Sequence, residues 1–156
     1  MDEAKEKSKK QHGSKFEHSA GGVVYREKDG SLEILLLKDK NGTWSFPKGL
    51  IEDNEAAAKA AEREIEEEVG LANLTFVAAI DSIRYFYRFE SRLISKKVDF
   101  FLFRYTGNVK PVPQVEEGIS EVVWFPAEVA LEKIGYEKTN KPILKKAVEM
   151  IKAGSI

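Results

Sequence analysis

This chain predicts an α/β fold in which a mixed β-sheet is sandwiched between helices, and three features predict it. Short runs rich in β-branched and aromatic residues flank one long Ala/Glu-rich helical segment. A second segment with helical spacing closes the chain, and one strand candidate is apolar on both of its faces. The 156 residues, 42% hydrophobic and 33% charged, are enough for one core and read as a single domain over 16–156. Residues 1–15 hold five lysines, three acids and hardly an apolar side chain, so they are expected to form a mobile polar tail.

His18 to Arg26 and Leu32 to Lys38 are apolar runs separated by Lys28-Asp29-Gly30, the pattern of a hairpin. Thr43 to Phe46 reads as another extended piece, ended by Pro47-Lys48-Gly49 before a loop in which Asp53 or Asn54 could cap a helix. Asn54 to Val69 lacks Gly and Pro, is filled with Ala, Glu, Lys and Arg, and is followed by Gly70, the residue expected just past a helix end. Leu74 to Ile80, Ile83 to Phe89, Lys97 to Tyr105 and Glu121 to Phe125 read as strands. Ala127 to Ile134 and Asn140 to Lys152 read as helices, the latter carrying Ile143, Leu144, Ala147, Val148 and Ile151 on one stripe.

Composition excludes several function classes. Lys plus Arg number 25 and Asp plus Glu 26, a net charge of −1, so no global basic field is available for nucleic acid or an anionic membrane. With no cysteine and two histidines, thiolate chemistry is absent and a zinc site has few donors; any metal must be held by oxygen. No signal-peptide pattern and no run of about 20 apolar residues is present, which leads us to expect a soluble cytoplasmic protein.

The long helix carries the chemistry. At 100° per residue Glu64, Glu67 and Glu68 fall at about 0°, 300° and 40°, sharing one arc, while Ala58, Ala61, Ile65 and Val69 form an adjoining apolar face. Ala57 and Ala60 border the acidic arc and leave room for a bulky neighbour. From Glu52 to Glu68 there are eight acids against Lys59 and Arg63, a local charge of −6. Clustered oxygen donors without soft ligands select a hard divalent ion, Mg²⁺ or Mn²⁺. Glu62 and Glu66, near 160° and 200°, read as solvated surface.

The spacing around these acids narrows the reading. Gly49, five residues, Glu55, seven residues, then Arg63-Glu64-Ile65-Glu66-Glu67-Glu68-Val69-Gly70-Leu71 matches every fixed position of the Nudix hydrolase signature, and over these 23 residues the chain resembles that family. The resemblance implies hydrolysis of a nucleoside diphosphate linked to another group, with Glu64, Glu67 and Glu68 as metal ligands. Metals bridging a polyphosphate would withdraw charge from phosphorus, stabilise the leaving phosphate and acidify the attacking water. Family analogy points to Glu64 or Glu68 as the base and leaves the choice open. Arg63 and Glu55 look like the pair that orients helix and loop, and Gly49 fits the family's use of a backbone carbonyl as a further ligand.

Flanking residues resemble the asymmetric diadenosine tetraphosphate hydrolases. Ser45-Phe46-Pro47-Lys48-Gly49 matches their SFPKG stretch, and Ser19-Ala20-Gly21-Gly22-Val23-Val24 resembles their first strand. Tyr85 and Tyr87 lie 14 and 16 positions past Leu71, where that subgroup carries a tyrosine implicated in substrate binding. Stacking on adenine would contribute roughly 1 to 3 kcal/mol per base. Phe86 is expected in the core. A substrate with four phosphates calls for cations beyond the metals, and Lys48, Arg84, Lys96 and Lys97 are the candidates. Nudix proteins sometimes place another acid in the loop that here holds Glu116 and Glu117, but Gly118 occupies the expected position, which argues against a ligand or base from that loop. The implied activity is that of a bis(5′-nucleosyl)-tetraphosphatase acting on a small nucleotide. Alternatives are a sanitiser of oxidised nucleoside triphosphates, an inositol pyrophosphate or polyphosphate hydrolase, and a nucleotide sensor without chemistry.

Overall fold

The computed structural model of the chain describes residues 16–154; the expected tail, residues 1–15, lies outside the described residues. Strands β1 (Phe16–Lys28), β2 (Ser31–Lys38), β3 (Trp44–Ser45) and β4 (Lys48–Leu50) precede helix α1 (Ala57–Val69). Then follow β5 (Thr75–Phe89), β6 (Arg92–Arg104), a 3₁₀ turn (Val115–Glu117), β7 (Glu121–Pro126), α2 (Ala127–Lys133) and α3 (Glu137–Lys152). The sheet is mixed: β1 runs parallel to β6, every other pairing is antiparallel, and the main order is β3-β2-β1-β6-β5 with β4 on β1 and β7 on β2.

Each face of the sheet carries its own core. Helix α1 sets Ala60, Ala61, Ile65 and Val69 against Ala20, Val24, Leu35 and Phe103 on one face. Helices α2 and α3 cover Val23, Ile34, Phe100 and Leu102 on the other through Ala130, Ile143, Leu144 and Ala147. Strands buried on both faces read as continuous apolar runs, which is why β6 is apolar on both alternations. The β1–β2 hairpin turns at Asp29 and Gly30, both at positive φ (52° and 80°), between the pair Lys28 and Ser31. This is the two-residue turn whose twist suits a hairpin.

Several boundaries differ from expectation. The two strands expected over 74–89 are one strand, β5, in which register shifts at Phe76/Ala78 and Ala79/Asp81 absorb the polar Asp81-Ser82 step without breaking the ladder. Phe86, expected in the core, lies on this edge strand and is 67% exposed. Lys48–Leu50 is a strand rather than the start of a loop, pairing Gly21 with Lys48 and Ala20 with Gly49. Helix α1 starts at Ala57, not Asn54. Its N-cap is Ala56 with no side-chain cap, because Asn54 sits at φ 64° in the preceding turn and Glu55 is turned to Arg63. Helix α3 begins three residues before Asn140, with the Tyr136 carbonyl accepting from the Thr139 and Asn140 amides.

Candidate functional site

Strand β4 and helix α1 build the acidic end of the site. Gly21 lets the Pro47-Lys48 segment come close to β1: a Cβ there would meet the Pro47 carbonyl oxygen at 2.6 Å and Lys48 Cβ at 2.7 Å. At Gly49 a Cβ would run into the carboxylate of Glu64. The buried face of α1 is rotated toward that side, so Ala60 belongs to the core instead of bordering an open groove, and Glu64 is only 8% exposed. Glu68 accepts a hydrogen bond from the Lys48 amide at 3.0 Å, which ties the helix to β4.

Arg63 organises the opposite edge. Its Nε and one Nη donate to the two oxygens of Glu55 (2.8 and 2.9 Å), the same Nη donates to the Leu50 carbonyl at 3.0 Å, and the other Nη reaches Glu64 at 2.9 Å and Glu67 at 3.4 Å. The contact with Glu55 holds the guanidinium pKa well above its ordinary value and pulls the Glu55 carboxyl below its own. Among the described residues no three acidic or imidazole side chains converge on one point at ligating distance, since Arg63 engages Glu64 and Glu67.

Crowding of like charges marks the acids electrostatically. Burial raises the Glu64 pKa, with Glu67 and Glu117 adding to the effect and Arg63 opposing it. Glu68 is pushed up to about 8, first by burial, then by Glu64 and Glu117, against the Lys48 amide. Glu117 is the acid that the presence of Gly118 seemed to remove. Residues 112–114 hang on the end of α1, the Val112 amide donating to Val69 O and the Gln114 amide to Glu68 O. Gly118 adopts φ 83°, and a Cβ there would press on Lys40 Cβ at 2.8 Å. The glycine thus permits the close approach that brings Glu117 to the Glu68 side, correcting the expectation that this loop offers no acid. Glu116 does not line the site.

From this acidic end a cavity of about 530 Å³ runs between β2, β4, β5 and the start of α3. Lys48, Glu68 and Glu117 line one part of it, and Tyr85, Tyr136 and Asn140 another. Tyr136 holds a left-handed conformation (φ 51°), fixed by its hydroxyl donating to Asp39 at 2.7 Å and accepting from Asn41 at 3.1 Å. Of the residues expected at the substrate, Lys48 and Tyr85 line this cavity. Tyr87 does not; its hydroxyl donates to Glu17 at 2.5 Å, and burial together with that bond raises its pKa. Lys96 lies 3.9 Å from the same Glu17, Lys97 lies 3.6 Å from Asp99, and Arg84 is exposed opposite Lys97 in the β5–β6 ladder. Sequence reasoning missed Tyr136 and Asn140. An asparagine three and four residues before Ile143 and Leu144, on the apolar stripe of a helix, was the available sign.

Oxygen donors alone, a glycine whose missing Cβ makes room for a carboxylate, and acids crowded enough to retain a proton form a donor set suited to a hard divalent cation. Comparison with known proteins agrees with this geometry. The profile of the NUDIX domain matches residues 15–147. A MutT4 protein of Mycobacterium tuberculosis is 32% identical over 127 residues, covering 77% of this chain and 50% of its own length. An RNA pyrophosphohydrolase of Sphingopyxis alaskensis is 32% identical over 97 residues, covering 55% and 61%. The chain therefore spans about half to three fifths of the length of these curated relatives. Among solved structures, a C. elegans Ap4A hydrolase in a binary complex superposes with a TM-score of 0.72 at 24% identity, covering 88% of this chain and 98% of that one, a likeness of fold. Because the profile spans nearly the whole sheet-and-helix arrangement and the signature falls on the helix that carries the acids, the chain belongs to the Nudix hydrolase family.

Proposed function

We propose that this protein is a Mg²⁺- or Mn²⁺-dependent pyrophosphohydrolase that splits diadenosine tetraphosphate asymmetrically into ATP and AMP. One observation carries the reading: a single cavity joins the acids at Glu68 and Glu117 to the tyrosines at Tyr85 and Tyr136, with Lys48 beside the acids. Such a cavity suits a ligand with a polyphosphate at one end and a flat base at the other.

Glu64, Glu67, Glu68 and the Gly49 carbonyl would hold the cation, which when bound neutralises phosphate charge and acidifies a water. Gathering Glu64 and Glu67 for that task means drawing them from Arg63, whose grip on Glu55 and Leu50 would keep it in place. Lys48 would neutralise further phosphate charge. Glu68, with its raised pKa, or Glu64 would accept the proton released by the attacking water, and Glu117 stands near enough to tune both. Tyr85 would stack on adenine.

A second reading is a pyrophosphohydrolase of a mononucleoside triphosphate or of a triphosphorylated end. It is favoured by Tyr87 facing Glu17 rather than the cavity, and by the likeness to an RNA pyrophosphohydrolase. Incubation with diadenosine tetraphosphate and Mg²⁺, with both products identified, tests the choice. Equimolar ATP and AMP, abolished by EDTA, are expected. Two molecules of ADP, or turnover of mononucleotides only with release of pyrophosphate, would overturn the first reading.

A further inference from the structure

One buried polar side chain in this cavity uses only half of its hydrogen-bonding capacity. Asn140 is 4% exposed and lines the cavity wall. Its Nδ2 donates to the Gly135 carbonyl at 3.2 Å and to Ser45 Oγ at 3.4 Å. An amide side chain has two N–H donors and one oxygen with two lone pairs, so both donors are committed to the protein. Among the described residues no group donates to Oδ1, and that oxygen is not among the sealed, unpartnered buried atoms. It is therefore open to the cavity.

The orientation of this amide is dictated by its neighbours. Gly135 O can only accept, so turning the amide over would set two acceptors face to face. That carbonyl is itself anchored, since the Gly135 amide donates to Trp44 O at 2.8 Å and a Cβ on Gly135 would strike the Thr43 methyl. The cavity thus presents a fixed, solitary acceptor near the rings of Tyr85 and Tyr136.

We propose that Asn140 Oδ1 is the base-selecting group of this site, accepting a hydrogen bond from the exocyclic amine of adenine and rejecting a purine that carries a carbonyl in its place. The inference rests on the nucleotide-binding reading of the cavity and names the base that it takes. Adenine and hypoxanthine are nearly equal in shape and stacking surface, but at position 6 one offers a donor and the other an acceptor. A site built around such a hydrogen bond discriminates far more strongly than one built on apolar contact alone.

Titration calorimetry of the full chain with AMP and with IMP tests this without requiring turnover. AMP is expected to bind more tightly than IMP by about tenfold or more. Asn140→Asp, which keeps an oxygen at this place, should retain a preference for AMP even where added charge weakens both nucleotides. Asn140→Leu, of similar volume, should bind the two equally while melting as a folded protein. Equal or absent binding of AMP and IMP by the unaltered chain, or a preference that survives in Asn140→Leu, would overturn the assignment. Hydrolysis of diadenosine tetraphosphate is scored separately: a preference for AMP without that turnover removes the proposed reaction and leaves the role of Asn140 standing.

Discussion

Arg63 and Glu55 meet fork to fork, the guanidinium Nε 2.8 Å from one carboxylate oxygen and an Nη 2.9 Å from the other, with the Leu50 carbonyl on that same Nη. Two parallel charge-assisted bonds fix a plane as well as a distance, which a lysine cannot reproduce. Arg63→Lys is expected to lose about 2 kcal/mol of stability, read from denaturant midpoints. The Glu55 pKa is held below its ordinary 4.5, so the stability it contributes is present above that value and is lost as the pH falls through the lowered pKa. The gap between wild type and Arg63→Lys should therefore be constant at neutral pH and close in acid.

Glu68 has the opposite sign. Its carboxyl keeps a proton up to about 8 in the folded chain, while in the unfolded chain it ionises near 4.5. Between those values the native state binds more protons, so the metal-free protein should lose stability as the pH rises. Glu68→Gln, melted in EDTA, is expected to gain about 3 °C or more over wild type at pH 8 and little at pH 5. Mg²⁺ should remove the disadvantage by taking the ionised form, with proton release detectable in calorimetry at pH 7.

The acids of α1 were legible in the sequence because a helix has a fixed period: Glu64, Glu67 and Glu68 share one arc wherever the helix lies. The rotation of that helix was not, because it depends on how Ala60 and Glu64 fit against β1 and β4, contacts made between segments distant along the chain. The same holds for the cavity. Lys48 and Tyr85 could be marked locally, but Asn140 and Tyr136 arrive from the start of α3 and Glu117 from a loop tied to the end of α1. Position 118 misled because a glycine was weighed as a lost carboxylate, when its contribution is the close contact with Lys40.

Gly49 offers a direct test of crowding at the acids. A methyl group at this position would occupy the space of the Glu64 carboxylate, displacing either β4 or the acid. Gly49→Ala is expected to leave the far-ultraviolet spectrum unchanged and to weaken Mg²⁺ binding by about tenfold or more, as measured by calorimetry. Unchanged affinity would show that Glu64 does not ligate from this position.

Glu117 should behave unlike its neighbour Glu116. Its charge contributes to the raised pKa of both Glu64 and Glu68, so Glu117→Gln should let Glu68 ionise at lower pH. The acid limb of the pH–rate profile is expected to move downward, with kcat reduced by about 10- to 100-fold if Glu117 also takes part in proton transfer. Glu116→Gln should change neither quantity. A shifted limb with unaltered kcat would restrict Glu117 to tuning.

Tyr85 and Tyr87 share one face of β5, yet only Tyr85 lines the cavity, while the Tyr87 hydroxyl is engaged by Glu17. A stacking ring contributes through its face, so Tyr85→Ala should raise KM for the dinucleotide by about 10-fold or more, and Tyr85→Phe should be nearly silent. Tyr87→Phe removes the hydroxyl that holds Glu17 and leaves the cavity wall untouched. Its KM should stay within about threefold of wild type, with a loss of up to about 1.5 kcal/mol in stability from the broken hydrogen bond. The reverse pattern, with a large KM effect at Tyr87 and none at Tyr85, would move the base to the Glu17 side of the strand. Steady-state kinetics of the three variants on diadenosine tetraphosphate, alongside their thermal melts, separates the two arrangements.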